Sequence, residues 1–155
     1  MSTGFQCTDI DVRTSDGLND SLLEDMPYTS EAGVQYRAPF GGTTDGLSVP
    51  RCLQNIIPAT GGDWMSGVLH DSAYRNQLEV LLNNVWEKAN LTQKASDNLL
   101  LEAMKSQGVN VVMRYIIWGA LRLFGWKAFK DDRKKVYARR KGLYYEKSSS
   151  IHCAR

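Results

Sequence analysis

Apolar and polar residues alternate along this chain with two different periods. Val34 to Ala38 reads Val, Gln, Tyr, Arg, Ala, a period of two that predicts a strand ended by Pro39. Phe40 to Gly46 is rich in turn residues, and Leu47-Ser48-Val49 predicts a second short strand before a brief helix over 52–57, with Pro50 in its first turn. From Trp64 the period lengthens. Leu69, Ala73, Leu78, Val80, Leu81, Leu82 and Val85 form an apolar stripe that predicts one helix from Trp64 to about Trp86, with Asp63 as its cap and Asn83-Asn84 marking its end. A second helix is expected to open at Thr92, carry Leu99-Leu100-Leu101 and Met104, and stop at Gly108. A third runs from Val109 to about Phe124 with Gly125 as breaker. It places Val112, Tyr115, Ile116, Gly119 and Leu123 on one side and Arg114 and Arg122 on the other. A last short helix is predicted from Trp126 to about Tyr137.

These elements predict a mainly α fold: an antiparallel helix pair, a small β/loop layer before it and an additional C-terminal helix. Three regions follow: an acidic flexible arm over 1–31, a helical domain over 32–137, and a basic, Ser-rich tail over 138–155. The 155 residues suffice for one domain with a sizeable core. The net charge of +2 implies no partner, but its distribution is uneven. Residues 1–31 hold seven acids against one base, and residues 127–147 hold nine Lys or Arg against three acids. The three cysteines, Cys7, Cys52 and Cys153, are too few and too scattered for a disulfide framework or a zinc cluster. No basic-then-apolar leader opens the chain, and no apolar run approaches the roughly 20 residues that span a bilayer. Synthesis in a reducing cytoplasm is therefore expected.

Candidate chemistry centres on His70, one of two histidines. Four residues on, Tyr74 shares its helical face, whereas Asp71 is rotated by about 100°. A histidine becomes a general base when a second group fixes its tautomer and steadies the imidazolium. Asp97, in an otherwise apolar helix, is the candidate for that group, reached by a helix, a loop and a return. Asp71 would then lie beside the Gly61-Gly62 turn, and a carboxylate with backbone carbonyls is a hard oxygen set that suits Ca²⁺. The plain alternative is a His–Asp pair that only braces a core.

The stretch His70-Asp71-Ser72-Ala73-Tyr74-Arg75-Asn76 resembles the active-site helix of secreted phospholipases A2, most closely the bacterial branch and the phospholipase domain of parvovirus capsids. Asp97, in Ala95-Ser96-Asp97-Asn98-Leu99, sits where those families place the aspartate that supports the histidine. The resemblance implies that His70 deprotonates a water attacking the sn-2 ester, that Asp97 orients His70, and that Tyr74 supports Asp97. It also implies Ca²⁺ held by Asp71 and carbonyls of the preceding loop. The usual disulfides of that family have no counterpart, and Ala59-Thr60-Gly61-Gly62-Asp63 only approximates its calcium loop. Over roughly residues 34–130 the chain also resembles an uncharacterised domain family common in tailed phages and prophages. That pattern runs through Thr44-Asp45-Gly46-Leu47-Ser48-Val49-Pro50-Arg51, Leu69-His70-Asp71, Ala95-Ser96-Asp97 and Leu123-Phe124-Gly125. It implies a phage origin, with synthesis in the host cytoplasm, association with a virion as a later place, and virion proteins as partners. Asp45 is open to three roles: a second metal ligand, a member of the His70 network, or a turn residue.

Trp118 and Trp126, flanked by Arg114, Arg122 and Lys127, compose a surface suited to phospholipid or to a protein partner, with a place in the core as the alternative. The basic tail suits anionic surfaces, but no signature of specific nucleic-acid binding accompanies it. Three functions are thus expected in turn: a phage-encoded, phospholipase A2-like hydrolase, a non-catalytic virion or assembly protein that keeps the fold, and a metal-assisted cell-wall hydrolase built on Asp45, His70 and Asp71.

Overall fold

The computed structural model describes residues 3–7, 11–14, 20–44 and 64–150. In chain order these form β1 (Gly4–Phe5), β2 (Val12–Thr14), β3 (Asp20–Leu22), β4 (Met26–Thr29), β5 (Gln35–Ala38), β6 (Thr43–Thr44), α1 (Trp64–Tyr74), β7 (Glu79–Leu82), β8 (Val85–Lys88), α2 (Gln93–Ser106) and α3 (Val111–Ser150). The strands make two antiparallel sheets, one of order β1-β4-β5-β7-β8 and one of order β2-β3-β6. The fold is therefore α+β. The expectation of a mainly α protein is overturned by these sheets, to which the expected acidic arm contributes four strands. Its acidic residues hid short strands whose inward side chains, Leu22, Met26 and Tyr28, are buried. The strand predicted around 34–38 is present as β5. The strand at 47–49 and the helix at 52–57 fall outside the described residues.

The largest correction concerns the helix expected over 64–86. It stops at Tyr74, because Asn76 adopts a left-handed conformation (φ +55°). Gln77 N–H then bonds to Ser72 C=O at 2.8 Å and Asn76 N–H to Ala73 C=O at 3.3 Å. This pattern closes a helix with asparagine in the place glycine usually takes. The chain continues as the β7–β8 hairpin. Its two-residue turn, Asn83-Asn84, has φ of +50° and +62°, the left-handed pair that matches strand twist. Opposite charges fix the register. Glu79 pairs across the sheet with Lys88 and Arg37, bonding Lys88 Nζ at 2.9 Å and Arg37 Nε at 2.8 Å. The Arg37 guanidinium also lies 4.5 Å over the Trp86 ring.

α2 follows its predicted limits. The Thr92 hydroxyl accepts from Ala95 N–H at 3.2 Å. At the other end Val109 N–H reaches Met104 C=O and Gly108 N–H reaches Lys105 C=O, with Gly108 at φ +75°. α3 departs from prediction. It passes through Gly125 without a break and its backbone is helical to Ser150, so the two predicted helices and much of the expected tail are one rod. One apolar core joins β3, β4 and β5 to α1 and α2 through Leu22, Met26, Ala38, Val68, Leu69 and Leu99. A second, of Leu100, Met104, Ile117 and Leu121, cements α2 to α3. α2 is thereby clamped between α1 and α3, the arrangement that positions the site.

Candidate active site

α1 delivers His70 and Tyr74 to the face that packs on α2, and α2 delivers Asp97 opposite them. His70 Nε2 lies 3.1 Å from Asp97 Oδ1, and the Tyr74 hydroxyl donates to the same oxygen at 2.6 Å. The expected meeting of His70 and Asp97 is thus present. The chain covers their separation of 27 positions through a β-hairpin, not a simple loop. The His70 side chain is 8% exposed and that of Asp97 0%. The His70 and Tyr74 ring centroids are 4.0 Å apart, and Phe129 of α3 meets Tyr74 edge-on at 5.1 Å.

Asp97 has a third donor. Arg122 Nη1 bonds to Oδ2 at 3.1 Å. Arg122 was expected on a membrane or partner surface with Arg114, and instead α3 turns it inward. Burial alone would raise the pKa of Asp97. The hydrogen bonds from His70, Tyr74 and Arg122 outweigh burial and hold the carboxyl below the usual value. Asp97 is therefore an ionised acceptor, which calls for a proton on His70 Nε2, so that in the neutral ring the lone pair is on Nδ1. The Tyr74 phenol is pushed well above its ordinary pKa, first by burial and then by the Asp97 carboxylate, and stays a donor.

Gly125 has a role the sequence reading missed. A Cβ there would stand 2.8 Å from the Tyr74 hydroxyl oxygen, so glycine admits α3 against the tyrosine. Gln93 Nε2, bonded to Leu121 C=O at 3.2 Å, lies on the same side. Further along α3, Arg133 Nη2 donates to Ala73 C=O at 3.2 Å and Leu91 C=O at 2.8 Å, tying the end of α1 to the approach of α2. Nothing local distinguishes Arg122 or Arg133 from the other basic residues of this helix. Their inward direction follows from the continuity of α3 through Gly125.

Asp71 is buried, and its Oδ2 accepts from the Thr44 hydroxyl at 2.6 Å. The other expected metal ligands, Asp45, Gly61 and Gly62, lie outside the described residues. Among the described residues no group of three or more His, Cys, Asp and Glu side chains gathers as a metal cluster. Asp71 and Thr44 offer hard oxygen donors of the kind Ca²⁺ takes, and Ca²⁺ takes about 6–8 of them.

The expected surface residues separate. Trp126 is exposed, with Lys130 Nζ 5.1 Å over its ring, and Lys127 is exposed beside it. Trp118 instead donates to Asn98 Oδ1 at 3.1 Å, and Arg114 faces the groove between α2 and α3. Of the side expected to hold Val112, Tyr115, Ile116 and Leu123, all four are exposed, while Ile117, Ala120 and Leu121 are buried. No helix among the described residues is long and apolar enough to cross a membrane.

A family profile described as a protein of unknown function (DUF1353) matches residues 21–121, more than half of the chain. No curated protein matches the chain, and no solved structure does.

Proposed function

The chain belongs to the DUF1353 family, and within it we propose a phospholipase A2-like hydrolase in which a His–Asp pair activates water against a lipid ester. The observation that carries this reading is His70 Nε2 at 3.1 Å from Asp97 Oδ1, with the Tyr74 hydroxyl on the same oxygen. With Nε2 protonated and held by Asp97, Nδ1 takes the proton from an attacking water, and the ionised Asp97 steadies the imidazolium that forms. Tyr74 and Arg122 fix the carboxylate so that its position does not drift as His70 changes charge. Ca²⁺, with Asp71 as one ligand, supplies polarisation of the ester carbonyl when bound. The exposed Tyr115, Leu123, Phe124 and Trp126 beside Lys127 and Lys130 form a surface that would meet phospholipid. A phage setting, with action on a host membrane, belongs to the same proposal.

Purified full-length protein should release fatty acid from phospholipid vesicles with calcium present. His70→Gln should lower the rate by about 10²–10⁴, the contribution typical of a general base. No release above a blank by folded protein with calcium overturns the reading.

One observation favours a second reading. Arg122 occupies Asp97 Oδ2, and His70 is only 8% exposed, as in an ion cluster that braces a core. The protein would then be a virion or assembly module that keeps the fold. Particles carrying His70→Gln with undiminished infectivity would support this second reading, and a loss of infectivity with intact assembly would oppose it.

A further inference from the structure

The groove between α2 and α3 holds a cavity of about 350 Å³ that the hydrolase reading does not use. Glu31 from the loop after β4, Asn98, Glu102 and Lys105 of α2, and Arg114 and Tyr115 of α3 line it. His70, Tyr74, Asp97 and Arg122 do not. Its size falls in the range of small-molecule sites rather than of single bound ions.

Two opposite charges share this cavity without bonding to each other. Arg114 Nε is sealed from solvent and has no hydrogen-bond partner among the described residues. A sealed, unpaired donor is rare in a folded protein and marks a place where another group belongs. Glu102 uses Oε1 twice, for the Tyr28 hydroxyl at 2.9 Å and the Glu31 N–H at 2.5 Å, and among the described residues nothing bonds to Oε2. Those bonds hold the glutamate in place on the sheet side. Lys105 and Glu31 satisfy one another at 2.5 Å. Asn98 spends Oδ1 on the Trp118 indole, which turns its NH₂ into a remaining donor. Two acids and two bases line the cavity, so its net charge is zero, which disfavours a plain dianion.

We propose that this cavity binds a small zwitterion, with its ammonium on Glu102 and its oxyanion on Arg114 and the Asn98 amide. The planar guanidinium suits a carboxylate or phosphate oxygen pair. Tyr115, 58% exposed, stands at the mouth, so the ligand can be a free zwitterion or the headgroup of a lipid whose chains stay outside. This inference does not rest on the hydrolase reading.

Calorimetric titration of the full chain with free phosphoethanolamine tests it, and flotation with phosphatidylethanolamine vesicles tests the lipid source. Phosphoethanolamine should bind, and Arg114→Gln and Glu102→Gln should each weaken it by roughly tenfold or more, as loss of a charge-assisted bond does. His70→Gln should leave it unchanged, which separates this site from the proposed active site. Binding to vesicles that Arg114→Gln and Glu102→Gln abolish, without binding of the free compound, assigns the headgroup; binding of the free compound alone assigns the free zwitterion. Vesicle binding that neither variant changes, without binding of the free compound, overturns the proposal. Inorganic phosphate binding as tightly as phosphoethanolamine, or Glu102→Gln without effect, reduces the site to an anion pocket and overturns the proposal. No binding of either probe at about 10 mM also overturns it. Should a variant fail to fold, the Arg114 Nε–H resonance of the unaltered protein must shift on addition of phosphoethanolamine. A fixed resonance refutes the proposal.

Discussion

Replacing Gly125 by alanine tests whether α3 is seated on the active-site tyrosine. The new Cβ would lie 2.8 Å from the Tyr74 hydroxyl oxygen and 3.4 Å from Gln93 Nε2. Reaching an ordinary contact of roughly 3.4 Å requires a shift of about 0.6 Å. Tyr74 has little room to give. Its hydroxyl is bonded to Asp97 at 2.6 Å, and its ring lies between His70 at 4.0 Å and Phe129 at 5.1 Å. Overpacking of this kind costs about 1–3 kcal/mol. Alanine in a helix returns about 1 kcal/mol relative to glycine. Gly119, two turns earlier on α3, is the control, because a Cβ there meets nothing within 4 Å. Gly119→Ala should therefore stabilise by up to about 1 kcal/mol. The helix-propensity gain is common to both variants, so their difference isolates the contact at about 1–3 kcal/mol. Urea melts followed by far-ultraviolet circular dichroism measure this directly. Equal stabilisation by the two alanines would refute the packing of α3 on Tyr74, and with it the inward placement of Arg122.

Asp97→Ala should cost about 3–5 kcal/mol in the same melts, because it leaves the buried His70 and Tyr74 donors and the half-buried Arg122 without their acceptor, and a cost typical of a surface site would contradict the network. Asp97 has a lowered pKa in the folded state, so the unfolded chain binds its proton more readily. Its stabilisation is complete above the unfolded value of about 4 and is lost as pH falls through the folded value. Melts taken from pH 7 down to pH 3 should show a shallower acid limb for Asp97→Asn than for the unaltered protein, and identical limbs would count against the assignment. Asn84→Gly should stabilise the β7–β8 turn by about 0.5 kcal/mol, since φ +62° suits glycine better than asparagine, and destabilisation would rule out the left-handed turn.

Much of the site was legible in the sequence and much of the fold was not, for identifiable reasons. His70, Tyr74 and Asp97 could be brought together because i, i+4 spacing on one helix and a single buried carboxylate on the next are local signals. Thr92 and Gly108 likewise mark the ends of α2 through short-range hydrogen bonds. The stretch from Leu78 to Val85 misled because three consecutive apolar residues, Val80 to Leu82, and the apolar positions around them fit helix and strand periods alike. The deciding feature was two adjacent asparagines in left-handed conformations, read as a helix end when they are a hairpin turn. The N-terminal strands were invisible because each is only two to four residues long, too short for a clear period of two to show. Gly125 carried the opposite error: read as a break, it is a point of close approach, which only a tertiary neighbour reveals.

The family match ends at residue 121, and the very next residue is the one that grips Asp97 Oδ2. Gly125, Phe129 and Arg133, which shape, cover and tether the same network, follow within three further turns. A chain cut where the match stops would keep the histidine and its aspartate but strip the carboxylate of the guanidinium that holds Oδ2. Boundaries drawn for expression by likeness alone would thus yield a protein with half its electrostatic cage, and silence from such a fragment would say nothing of the intact molecule.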